Sequence, residues 1–190
     1  MDFTGSSAML DGSGTGTIIS YKPMTNGVIR IKSESTANED GVQIHNKIKD
    51  INLVSNVDNT TITDPRDNRG ILLENSNDGW DPANGRGNDF KGSNYHTNIT
   101  GSTINGFSTG LHMRGFSNAT TVSNLVFENI HSYGVWLSGN ADNAFSKLNF
   151  KNCPNASAIR VDNSVDDRFQ GFELPQGPTI FSVDDPNCVE

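Results

Sequence analysis

Along this chain the hydrophobic residues fall into short clusters that alternate with polar ones, and no long stretch carries a 3.6-residue helical period. In residues 98–107, 121–130 and 144–153 the clusters line up as three copies of one pattern. The apolar residues Ile104, Phe127 and Phe150 hold the same place in the three copies, with steps of 23 residues between them. A second strand follows each copy, as Leu111-His112-Met113, Val135-Trp136-Leu137 and Ile159-Arg160-Val161, at a step of 24. A recurrence of this length marks a repeat architecture in which one turn cannot bury its apolar face alone and stacked turns bury a common column.

Earlier segments read the same way at less regular spacing: Gly27-Val28-Ile29-Arg30-Ile31, Gly41-Val42-Gln43-Ile44, Ile51-Asn52-Leu53 and Gly70-Ile71-Leu72-Leu73. The pattern predicts an all-β chain wound as a right-handed parallel β-helix, or β-solenoid, and a truncated section of one. It covers about residues 1–175, with a loop insertion at about 75–96 and a C-terminal extension, or the start of the next section, at 176–190. A sandwich or jelly roll would pair unlike strands and would impose no 23-residue repeat. At one corner Asn129 stacks over Asn152, with Gly106 at the matching place. Asn tolerates left-handed backbone, so this column is expected to satisfy the amides of the turns.

The 22 acidic against 14 basic residues, a formal charge of −8, argue against a nucleic-acid partner, which needs a basic face. No apolar run approaches the roughly 20 residues of a membrane span, and residues 1–5 carry no secretion signal, so the chain reads as soluble without membrane insertion. Cys153 and Cys188 are too few for a disulfide scaffold and are expected to be free thiols, Cys153 at an inward position near Phe107 and Ile130. No metal or cofactor is expected. Asp162, Asp166 and Asp167 do not have EF-hand spacing, and Gly12-Ser13-Gly14-Thr15-Gly16 lacks the Lys-Ser/Thr of a phosphate loop. Four Asn-x-Ser/Thr matches, at Asn59, Asn98, Asn118 and Asn155, are the chance yield of an Asn- and Thr-rich chain.

The opening phrase Asp2-Phe3-Thr4-Gly5-Ser6-Ser7, followed by Gly14-Thr15-Gly16-Thr17-Ile18-Ile19, resembles the lower rungs of bacteriophage tailspikes and other pectate-lyase-like β-helix proteins. Neither the aspartate-rich segment and capping helix that lead into such proteins nor a distal trimerisation domain is among the 190 residues. The resemblance therefore implies a shaft section of a longer homotrimeric protein. That protein would sit on a virion tail, or otherwise be secreted or held at a cell surface, and would bind and degrade bacterial surface polysaccharide. The alternative is a non-catalytic adhesin or rigid spacer.

Alternation puts the candidate chemistry on the solvent side of the second strand. There His112, Trp136 and Arg160 stand one above another with Leu72 below, beside a column of Glu74, Arg114, Ser138 and Asp162. An aromatic face stacks on a sugar ring and Arg binds acidic sugars, so Trp136, Arg160, Asp162 and the loop residue Trp80 are the expected substrate contacts. Glycoside hydrolysis needs two carboxylates about 5 Å or about 6.5–9.5 Å apart. Glu74 and Asp162, separated by three rungs, are about 14 Å apart and cannot serve together. A hydrolase would combine Glu74 with the loop acids Asp78, Asp81 or Asp89, or two of those with each other. A lyase would use His112 as base with Arg114 neutralising a uronate. The bland reading is that these residues are the ordinary solvated face of a β-helix, and that Trp80, Phe90 and Tyr95 only fasten the loop to the wall.

Overall fold

The computed structural model describes residues 1–4, 7–33, 43–75, 94–115, 117–140, 142–153, 155–162, 164, 167–173 and 179–183. These form an almost wholly β chain in which every pairing between strands is parallel. One seven-stranded sheet, here sheet A, orders β1 (Asp2–Phe3), β3 (Ile29–Ser33), β6 (Arg69–Asn75), β10 (Thr109–Arg114), β13 (Tyr133–Ser138), β15 (Ser157–Asp162) and β17 (Thr179–Val183). Sheet B orders β2 (Met9–Ser20), β5 (Lys47–Ser55), β8 (Asn98–Thr100) with β9 (Thr103–Asn105) beside it, β12 (Thr121–Glu128), β14 (Ala144–Lys151) and β16 (Arg168–Glu173). A third sheet, which the sequence pattern did not predict, joins the two-residue strands β4 (Gln43–Ile44), β7 (Asn94–Tyr95) and β11 (Ser117–Asn118). The chain thus alternates between the large sheets and lays each new strand beside its predecessor of the previous circuit.

The core is the column expected from the repeat. Ile104, Phe127 and Phe150 are in register on adjacent strands, all essentially inaccessible to solvent, and the rings of Phe127 and Phe150 stack at 5.0 Å. From the facing sheet, Leu111, Met113, Val135, Leu137 and Ile159 close the interior. Glycines let the rings approach. A Cβ on Gly110 would lie 2.6 Å from Phe127 Cδ1, and one on Gly134 would lie 2.2 Å from Phe150 Cε1. Both positions face inward, as do Leu111 and Val135 next to them, so the strict in-and-out alternation slips by one at the start of each of these strands.

The corner column is left-handed as expected, with φ of 52° at Asn129, 52° at Asn152 and 76° at Gly106. Its amides are satisfied differently from the expectation. Gly106 N–H donates to the Glu128 carbonyl at 3.0 Å and Asn129 N–H to the Lys151 carbonyl at 3.0 Å, so the backbone ladder itself runs round the corner. The Asn129 side chain instead donates to Asn105 Oδ1 at 3.0 Å. Cys153 is a buried free thiol that accepts from Ile130 N–H at 3.4 Å, and burial pushes its pKa up. Cys188 lies outside the described residues. The Gly12–Gly16 stretch is part of β2, with a register shift against β5 between Asp11 and Gly16. Among the described residues no helix is long and apolar enough to cross a membrane.

Candidate functional site

Strand pairing in sheet A sets the two outer columns in the expected register. Leu72, His112, Trp136 and Arg160 are successive partners, as are Glu74, Arg114, Ser138 and Asp162. Arg30 precedes Leu72 in the first column and Lys32 precedes Glu74 in the second.

What surrounds these columns differs from a solvated face. Leu72 is fully inaccessible and His112 is 2% exposed, so the expectation of an open histidine is corrected. Alternation fixes the side of the sheet from which a side chain leaves, but not whether other chain lies over it. The imidazole of His112 stacks flat on the indole of Trp136, with centroids 4.2 Å apart and planes 1° apart. Arg160 comes from the rung on the other side, its Cζ 4.9 Å from the indole centroid. Both faces of Trp136 are therefore occupied, which corrects the expectation that one of them stacks on a sugar ring. Rungs in a parallel stack are only about 4.8 Å apart, so flat neighbours in register cover an aromatic ring on each side.

The rest of the cluster fastens this stack. Trp136 Nε1–H donates to Asp162 Oδ2 at 2.7 Å, and Arg160 Nε–H donates to the same oxygen at 2.9 Å. Arg160 also donates to the Tyr133 hydroxyl, and its Cζ lies 5.0 Å from the Tyr133 ring, which is tilted against Trp136 at 5.2 Å. His112 Nε2 is 3.4 Å from Ser138 Oγ, whereas its Nδ1 is buried without a hydrogen-bond partner, and so is Asp162 Oδ1.

Charge is concentrated here. Burial first, then the guanidinium groups of Arg69, Arg114, Arg66 and Arg160, hold the pKa of His112 well below 6.5, so the ring is neutral at physiological pH. Arg69, itself 4% exposed, has its pKa lowered to about 10 by burial and then by Arg114. It donates to the Thr25 carbonyl at 3.0 Å but leaves its buried Nε without a partner. Arg114 is exposed. Arg66 is fastened to Asp64, whose carboxyl that arginine lowers to about 2.

Glu74 is 7% exposed and ion-paired to Arg30, whose Nη1 also lies 3.5 Å from Asp2. That corrects the picture of an open carboxylate ready for proton transfer. The apolar wall beneath and the facing guanidinium favour a fixed ion pair at this position. Glu74 and Asp162 share a column but stand three strand steps apart. Asp78, Trp80, Asp81 and Asp89 lie outside the described residues. Among the described residues no group of three or more His, Cys, Asp or Glu side chains is placed to hold a metal ion.

Sequence reasoning missed Tyr133, Arg66, Arg69 and Arg30. Tyr133 is lost if alternation is counted back from Trp136, because the glycine slip at Gly134 turns it outward. Arg69 sits at the matching position of β6, directly before Gly70, and the same slip was the available signal. No family model, curated protein or solved structure matches the chain.

Proposed function

We propose that the chain is a section of right-handed parallel β-helix, of the kind found in phage tailspikes, whose sheet A outer face binds an acidic bacterial surface polysaccharide. The connections support the right-handed reading. Successive parallel strands of one sheet are joined by a crossover through the other, and such crossovers are right-handed in about 98% of cases. Binding is supported by one feature, the placing of Arg69, Arg114 and Arg160 on neighbouring strands of sheet A about the His112–Trp136 stack, on a chain of net charge −8. A uronate carboxylate is a fitting counterpart, since guanidinium groups bind carboxylates through paired, charge-assisted hydrogen bonds. The described residues support binding rather than cleavage, because Glu74 is tied to Arg30 and stands three rungs from Asp162.

The covered faces of Trp136 favour a second reading, a rigid spacer or adhesin in which the stack only stiffens the wall. Titration with glucuronate-containing oligosaccharides by calorimetry separates the two. The expected result is saturable binding that weakens as salt rises, with Arg114→Gln losing affinity about tenfold at low ionic strength and less at high. No saturable binding would favour the spacer, whereas equal affinity for neutral oligosaccharides, or no effect of Arg114→Gln, would overturn the assignment of an acidic ligand to this face. A reducing-end assay on whatever binds then decides whether the loop acids add cleavage.

A further inference from the structure

The corner between sheets B and A carries a groove of about 200 Å³, lined by Asn59, Thr60, Asn129, Ile130, His131, Asn152 and Asn155. We infer that this groove is a second saccharide subsite, which takes a neutral pyranose unit through side-chain amides. The inference rests on the reading of the chain as a saccharide binder and adds a place and a chemistry to it.

Two of the amides here, those of Asn152 and Asn155, are not used by the fold. Backbone carbonyls of the next rung satisfy the turn N–H groups of Gly106 and Asn129. Asn152 and Asn155 are exposed, and their side chains make no hydrogen bond to other described residues. The His131 ring is likewise half-exposed and without a hydrogen-bonded partner among the described residues. Each amide offers two donors and an acceptor, which suits the neighbouring hydroxyls of a sugar, and an imidazole offers one more of either kind.

One wall is held rigid. The short 3-10 turn Asn59–Thr61 is capped by Asp58, whose Oδ1 accepts from Thr60 N–H at 3.0 Å. Asn59 Nδ2–H donates to the Gly106 carbonyl at 2.7 Å, and Asn59 Oδ1 accepts from Asn68 Nδ2–H at 2.9 Å. A wall fixed in advance lowers the ordering cost of binding. Among the described residues no Lys or Arg lines the groove, so they offer no counterpart for a carboxylate and suit a neutral unit. It also lies next to the charged stack, since His131 is two residues before Tyr133. A glycan with acidic and neutral units in succession would reach both.

The test uses the complete chain and methyl glycosides of glucose, galactose, mannose and N-acetylglucosamine as probes, followed by heteronuclear NMR. Saturable shifts of the Asn152 and Asn155 side-chain amides and of the His131 ring are expected with at least one probe. Asn155→Ala should weaken that binding about fivefold to tenfold, the effect of losing a hydrogen bond or two. Asn152→Gly is the matching change at a left-handed position, where Ala would strain the corner. If it compromises folding by circular dichroism, the exposed Asn155 alone carries the test. No shift with any probe, or shifts unaltered by Asn155→Ala, overturns the subsite. Arg114→Gln serves as the reference. Glucuronate binding that needs Arg114, without glycoside shifts, defeats this inference and leaves the sheet A reading standing. Glycoside shifts without glucuronate binding do the reverse, and absence of both defeats both.

Discussion

His112 shows at the scale of one side chain how the stack converts burial into pH dependence. The folded chain holds its pKa well below 6.5, through burial and then the four guanidinium groups, while the unfolded chain titrates near 6.5. Below that pH the unfolded state binds a proton that the folded state refuses. The stabilisation from a neutral His112 is thus complete above about 6.5 and is lost as pH falls from there through the folded pKa. The expected slope is up to about 1.4 kcal/mol per pH unit for one proton. Urea unfolding between pH 7.5 and 5.5 should show this slope in the native sequence and a flatter one in His112→Gln, whatever the absolute stability of that variant. Identical slopes would contradict the burial argument. Asp64, held at about 2, contributes only at more acid pH, and its partial exposure screens that contribution.

Within a strand, the decisive feature is the glycine that lets a ring from the opposite sheet reach the backbone. Gly134→Ala in β13 puts a methyl group against Phe150, and overpacking of this kind costs about 1–3 kcal/mol. Phe150→Leu in the same chain should recover part of the loss, because it withdraws the ring edge that the methyl meets. Thermal unfolding of the two single variants and the double variant gives the coupling, and strictly additive losses would show that the two side chains do not meet. The strands themselves were legible in the sequence, because the steps of 23 and 24 residues keep Ile104, Phe127 and Phe150 in one column and His112, Trp136 and Arg160 in another. The third sheet was legible only at β4, which falls in the 41–44 segment, since the two-residue strands β7 and β11 are too short to carry an alternation. Nor was the burial of Leu72, Glu74 and His112 in the outer columns. Leu72, an apolar residue at an outward position, was the one clue that something covers that face. The ion pair of Glu74 with Arg30 escaped because irregular spacing in the earlier circuits hides their register.

For the whole molecule, stability should be graded along the stack. Strands β10, β12 and β13 are flanked by neighbours on both sides, while among the described residues β1, β2, β16 and β17 each pair on one side only. Where each repeat touches only its neighbours, stability is close to a sum of repeat and interface contributions, and the ends open first. Native-state hydrogen exchange should therefore find the slowest backbone amides in β12 and β13, with rates rising toward β1 at one end and β17 at the other. Phe127→Ala, at the centre, should lower the protection of all the strands and cost about 3–5 kcal/mol, the usual loss for a buried Phe. Phe169 lies in the terminal strand β16, stacked on Phe145 at 4.7 Å and only partly buried. Its replacement by Ala should speed exchange in β16 and β14 while leaving β10 and β12 nearly unchanged. Equal loss of protection everywhere in both variants would mean that the chain opens as a single cooperative unit, and the graded picture would have to be given up.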